Sequence, residues 1–294
     1  MLLEFLKFNF NVYFRHMLVY ITRITFGRAK RPKMEDISVL HVSRSFIVVN
    51  KRHDILINID KEEGMSELPV SVENQLKTRF PHLVNSNLVH SFHFCHRLDY
   101  STSGVLAVAL TKEAAKEAML VFQNRLTHKY YLALLRGHLD QEYTVINKGI
   151  GKDTRENFTH CMCTEDKGYC SFPKKAVTQI IVLQRGLYAN SPATKVLLKP
   201  ITGRRHQLRV HCNFIGHTVV GDYTYSNRRD LAPYRMFLHA YRLVLPTKLE
   251  LVDVSTCDPF SEDDPKNKWT PLETLNTLDC CVFSEFPNCD VLKI

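Results

Sequence analysis

The chain has 294 residues, with 39 Lys+Arg against 30 Asp+Glu for a formal net charge of +9, and 45% of its residues are hydrophobic against 23% charged. A chain of this size buries roughly 75% of its unfolded surface in one large or two small domains, which excludes a disordered or fibrous protein and removes the need for a metal or disulfide staple. Nine cysteines, with Cys280 and Cys281 adjacent, form no evenly spaced disulfide framework and point to a reducing, intracellular compartment.

Residues 1–33 hold seven basic residues and one acid, Glu4. Their apolar runs are too broken for a membrane span of ~20 residues or for the uninterrupted core of about 7–15 residues that a secretory signal needs. The acid-poor, Arg-bearing character fits a mitochondrial transit segment, yet it contains no serine, and Met34 can equally start the functional chain. The expected location is cytoplasmic or nuclear, with mitochondrial targeting through this segment as the alternative. We read residues 1–37 as a basic N-terminal extension and 38–249 as one domain.

Residues 46–50 (FIVVN) and 103–110 (SGVLAVAL) are short β-branched runs that predict strands. Thr111 can cap a helix ending near Arg125, with Ala115, Ala118, Met119 and Phe122 on its inner face and Glu113 complementing the dipole. Lys112 and Lys116 fall on its solvated side. Further strands are expected at 130–135, 176–183, 194–199 and 236–245, with breaks at Gly137, Gly186 and Pro246. Residues 138–174 show little apolar periodicity and read as a surface insertion. Residues 250–294 carry ten acids, three basic residues and Pro259, Pro265, Pro271 and Pro287; they read as a loosely ordered acidic tail that Trp269 could dock. The basic excess therefore sits in the body, where it suits a polyanionic partner such as RNA, ordinary solubility charge being the other reading.

Three segments concentrate chemistry. HRLDYSTSG (96–104) presents the carboxylate of Asp99 beside Arg97, although Asp, Ser, Thr and Gly also form ordinary turns. KYYLA (129–133) places one of Tyr130 and Tyr131 on each face of a strand, so that one ring can meet a ligand. KPITGRRHQLRVH (199–211) gathers Lys199, Arg204, Arg205, His206, Arg209 and His211 around the Gly203 turn. A helix from about 205 to 214 would bury Leu208, His211, Cys212 and Ile215 and align Arg205 with Arg209, as a phosphate or carboxylate binder or as a solvated basic face. His160, Cys161, Cys163 and Cys170 lack the paired spacing of a structural zinc site, and no metal is expected.

Together HRLDYSTSG, KYYLAL (129–134), TGRRHQLRVHCNFIGHTVVGDYTY (202–225) and LHAYRL (238–243) resemble the RluA-type pseudouridine synthases, over about 200 residues in one order. The resemblance implies an α+β fold built on a curved, mostly antiparallel mixed sheet, with flanking helices and a central active-site cleft. It implies Asp99 as the catalytic carboxylate and Arg209 as the cation paired with it. Tyr131, rather than Tyr130, is then the ring stacked on uracil, because the family spacing is Lys, any residue, Tyr. Arg97 would hold the target nucleotide out of its stack and Leu208 would line the pocket; His96, Lys129, Arg204, Arg205 and His206 complete the implied substrate-binding set. Lys51 is followed by Arg52-His53-Asp54 where many members continue Pro-Ala-Gly, which predicts a different path for that loop.

The implied reaction breaks the bond from ribose C1′ to uracil N1, turns the base and joins C1′ to C5. It exchanges no electrons, so no cofactor is expected. The implied partner is a uridine-containing RNA whose target base must be extruded; neither DNA nor a membrane is expected, and substrate choice leaves room for a protein partner. The alternative is a catalytically idle RNA-binding scaffold that retains the fold.

Overall fold

The computed structural model describes residues 37–59 and 70–287; the basic segment of 1–33 lies outside them. In chain order the elements are β1 (Ser38–Val42), β2 (Phe46–Lys51), α1 (Val72–Arg79), β3 (Ser103–Ala109), α2 (Lys112–Gln123), β4 (His128–Arg136), β5 (Tyr143–Asn147), β6 (Ile150–Asp153), β7 (Met162–Thr164) and β8 (Cys170–Lys174). They continue with β9 (Val177–Tyr188), β10 (Ser191–Pro200), α3 (Gln207–Phe214), β11 (Leu238–Pro246), β12 (Leu251–Ser255) and β13 (Trp269–Thr274). These elements form two compact units. The first holds the described residues up to Thr127, with Ala232–Met236 and Leu243–Thr256; the second holds His128–Leu231, Phe237–Arg242 and the described residues from Cys257. No helix among the described residues is long and apolar enough to cross a membrane.

In the first unit β1 and β3 flank β2, both antiparallel to it. Phe46 through Val49 are fully buried, as a β-branched run in a central strand requires. The Ser43 hydroxyl closes the β1–β2 turn by accepting the amides of Ser45 and Phe46 at 3.1 and 2.9 Å. Thr111 caps α2 as expected, accepting the Ala114 amide at 3.1 Å. The inner stripe differs by about one residue from the expectation: Ala114, Ala118 and Val121 are buried and Met119 is 53% exposed. The stripe packs with Phe46, Val48, Val105 and Ala107 and with Leu243, Leu245 and Val252 of β11 and β12. Helix α1 carries no apolar stripe that would announce it. Ser71 caps it through the Asn74 amide, and Leu56 and Ile57 accept the amides of Val72 and Glu73.

In the second unit β4, β10 and β9 pair antiparallel in that order, and one edge of β9 is shared between two partners: β5 takes Val177 through Ile181, and β13 takes Gln184 through Tyr188. Gly186 does not break β9. It lies in the strand between Ala193 and Pro271, where a Cβ would fall 2.2 Å from the Thr270 carbonyl oxygen. The glycine serves close approach. The loosely ordered tail is also corrected: β13 extends the sheet, and Trp269, Val282 and Phe286 are buried. Proline and acid content masked an edge strand anchored by one indole. Residues 138–174 hold β5 and a separate sheet of order β7-β6-β8, beside which Ile150, Ala176 and Val210 of α3 form a small cluster.

Candidate active site

In the first unit, Asp99 lies half-buried in the loop that feeds β3. His93 pairs with Ala109 on the edge of that strand, and the His96 imidazole Nε2 accepts the Ala107 amide at 2.8 Å while its ring packs on Phe122. His96, implied as a substrate-binding residue, here supports the loop. Leu98 is buried, Arg97 is exposed, and the Asp99 carbonyl accepts the Thr102 amide at 3.1 Å, so a tight turn pinned by one leucine presents the carboxylate. Gly104, the second residue of β3, stands at φ 113 opposite Lys51, a conformation that L side chains rarely adopt.

Lys51 is the residue the motif reading did not foresee as part of the site. At 1% exposure, its ammonium donates to the carbonyls of Ile55 at 2.7 Å, Arg52 at 2.9 Å and Tyr100 at 3.0 Å. Three acceptors match the three N–H bonds of the charged form. Burial pushes the amine down to about 7; the charges of Asp54 and Asp99 oppose that, and Arg235 adds to it. The attraction between Lys51 and Asp99 is mutual, so each favours the charged form of the other. Lys51 thus ties the loop after β2 to the residue next to Asp99 and supplies positive charge there. Buried Arg235 donates to the Ser103 hydroxyl and, from Nε, to the Met236 carbonyl at 3.1 Å. In the loop after β2, Asp54 stands at φ 58, where glycine is favoured, with its Oδ2 3.0 Å from His53 Nδ1.

In the second unit, β4 separates its two tyrosines as strand alternation requires. Tyr130 is 6% exposed, its ring against Phe283 and Phe286 at 4.6 and 5.8 Å. Tyr131, half-buried, takes the opposite face with Lys129 two residues earlier. Burial pushes the Lys129 amine down to about 8, and a Cβ built on Gly203 would fall 3.4 Å from its Nζ. The KYY strand and the TGRRH turn therefore meet at Lys129. Lys199 goes elsewhere, placing its ammonium over the rings of Tyr130 and Phe286.

Gln207 builds that turn. Its Oε1 accepts the Thr202 hydroxyl at 2.7 Å and the Arg204 amide at 3.0 Å, while its Nε2 donates to the Val177 carbonyl at 2.9 Å. His206, at φ 55, is the left-handed N-cap of α3, and its Nδ1 lies 2.9 Å from the Tyr225 hydroxyl. Helix α3 begins after Arg205, so the expected alignment of Arg205 with Arg209 fails: the left-handed residue between them turns Arg205 out to solvent, where it donates to the His160 carbonyl at 3.0 Å. Arg204 donates to the Lys175 carbonyl at 3.0 Å. Residues 207–212 are all buried, which removes the solvated-face reading of this helix. Arg209 donates from Nε and Nη2 to the Asp222 carboxylate at 2.7 and 2.8 Å and lies over the Tyr225 ring. Leu208 is buried beside it. His211 is consumed by packing: Nε2 donates to the Lys148 carbonyl at 3.0 Å, Nδ1 accepts the Thr178 hydroxyl at 2.9 Å, and burial lowers its pKa. Cys161, Cys163 and Cys170 are free thiols; burial raises Cys161 to about 11 and Cys163 to about 12.

The first unit thus presents an Asp-bearing turn braced by a buried ammonium, and the second presents a Lys-x-Tyr strand meeting a Gln-braced Arg-rich turn. The family model described as RNA pseudouridylate synthase matches residues 45–214. The RNA pseudouridylate synthase domain-containing protein 1 of Danio rerio is 48% identical over 246 residues, 84% of this chain and 82% of that protein. The dual-specificity RNA pseudouridine synthase RluA of Pasteurella multocida is 33% identical over 212 residues, 70% of this chain and 85% of that one. The solved structure titled Human RNA Pseudouridylate Synthase Domain Containing 1 superposes with a TM-score of 0.75 at 43% identity, covering 87% of this chain and 97% of its own. The chain belongs to the RNA pseudouridine synthase family, within the isomerases, and has that fold.

Proposed function

We propose that this chain isomerises uridine to pseudouridine in RNA, with Asp99 as the carboxylate that acts on a flipped-out uridine. The observation that carries the reading is the setting of Asp99: a tight turn presents it half-exposed, and the buried Lys51 ammonium holds the neighbouring Tyr100 carbonyl while favouring the ionised acid. An ionised, fixed carboxylate is what a nucleophile or base requires. Tyr131 stacks on the uracil and Lys129 lies beside it. Arg209 is the cation that the family resemblance pairs with the catalytic acid, and its fork is held by Asp222. Arg97, Leu208, Arg204, Arg205 and His206 receive the nucleotide and its flanking phosphates, offsetting an extrusion cost of a few kcal/mol. The C1′–N1 bond breaks, C1′–C5 forms, N1 gains a proton and C5 loses one to solvent. Transcriptome-wide pseudouridine maps with and without the protein test this reading. The expected result is loss of pseudouridine at defined uridines, restored by the wild-type chain and not by Asp99→Asn. Unchanged maps, with RNA still bound, would make the chain an idle scaffold.

A further inference from the structure

Phe172 has no part in the site described above, yet the second unit presents it to water at 88% exposure. Its backbone stands at φ 48, a conformation unfavourable for a bulky L residue. The reason lies in the β6–β8 register: Ser171 faces Lys152 and Lys174 faces Ile150, so Phe172 and Pro173 together oppose Gly151 in a bulge. Gly151 permits this close approach, since a Cβ there would fall 2.4 Å from the Ser171 carbonyl oxygen. Bulges of this kind re-aim a side chain.

Residues 150–174 hold four basic and four acidic residues, so the basic excess beside this sheet comes from Lys175, Arg204 and Arg205. Of the acids, Asp153 and Asp166 are engaged by Arg155 at 2.6 Å and Lys167 at 3.5 Å, and Glu156 and Glu165 are exposed. Lys152 and Lys174 are exposed and have no carboxylate partner among the described residues. Arg204 and Arg205 are joined to the segments flanking that sheet through the carbonyls of Lys175, just after β8, and His160, just before β7, likewise with no carboxylate partner among the described residues. Among the described residues strand β8 pairs only with β6, but Pro173 lacks an N–H on it and opposes addition of a protein strand at that edge. An exposed ring flanked by lysines instead suits single-stranded nucleic acid, whose bases stack and whose phosphates pair with cations.

We propose that Phe172 is a stacking platform for an unpaired base of the substrate RNA outside the target uridine. Lys152 and Lys174 take adjacent phosphates, and Arg204 and Arg205 extend the track from the small sheet to the Gly203 turn. The proposal rests on the reading of RNA as substrate, and it assigns part of RNA selection to residues 150–174.

The test is equilibrium binding of a fluorescent single-stranded oligouridylate to the full chain carrying Asp99→Asn, alone and combined with changes at Phe172. Phe172→Ala should weaken binding about 5- to 150-fold, the range for loss of one stacked base, and Phe172→Trp should restore it. The introduced indole should be quenched by RNA, with buried Trp269 as the unresponsive reference. Phe172→Gly should weaken binding equally while relieving the left-handed backbone, so its melting temperature should not fall. Lys152→Gln and Lys174→Gln should each reduce the slope of log K against log salt by about 1. Equal affinity of the Phe172→Ala chain, or an indole at 172 that ignores bound RNA, would overturn the proposal. If the parent chain binds no RNA, the functional reading itself fails, and the cellular pseudouridine maps report that separately.

Discussion

The Asp99 loop of the first unit and the TGRRHQLRVH segment of the second both set a buried cation near a carboxylate, and they use it differently. Lys51 spends its hydrogen bonds on three backbone carbonyls, so its charge acts on Asp99 and Asp54 through space. Arg209 spends two of its N–H bonds on Asp222, which also accepts the amides of Thr224 and Tyr225. The first arrangement holds a loop and leaves its acid half-exposed for chemistry. The second locks a helix to the segment that follows it, and its acid is fully buried.

Substitutions break this contrast in order of expected size. Asp222→Ala removes the carboxylate that accepts from Arg209 Nε and Nη2 inside the buried core and should cost about 3–5 kcal/mol of stability in urea unfolding. A much smaller loss would mean that Asp222 is replaceable as the arginine's support. Lys51→Met should lower turnover about 100-fold, the scale for a reacting group displaced by about 1 Å, with RNA affinity retained; Lys51→Arg should not restore it, because a planar fork cannot serve three carbonyls in this arrangement. The same lysine has a pH signature. Its amine is near 7 when folded against an ordinary 10.5, so between those values the unfolded chain binds more protons and stability should rise with pH. Lys51→Met should flatten that rise. Thr111→Ala, which removes only the α2 cap, should cost about 1 kcal/mol by thermal melting.

The parts legible in the sequence were those governed by local rules. Phe46 through Val49 read as a strand because a short β-branched run has few other uses, and Thr111 read as a cap because its hydroxyl meets an orphan amide. Asp99, Tyr131 and Arg209 rest on the motif resemblance, and alternation alone left Tyr130 and Tyr131 equivalent, whereas the structure buries Tyr130. Lys51 was not legible: a lysine ending a strand normally reaches solvent, and only the return of the 52–55 and 99–100 backbones converts it into a clamp. Gly186 was misread because a glycine needed for close approach looks in sequence like one needed for a turn. Arg205 was misread because the left-handed His206 starts α3 later than the apolar spacing suggested.

The most direct measurement is release of tritium from RNA labelled at uridine C5, compared between the wild-type and Asp99→Asn chains while RNA binding is followed in parallel. The wild-type chain should release tritium from a cellular RNA, and Asp99→Asn should bind that RNA and release none. Release by Asp99→Asn at the wild-type rate would contradict the role given to this carboxylate.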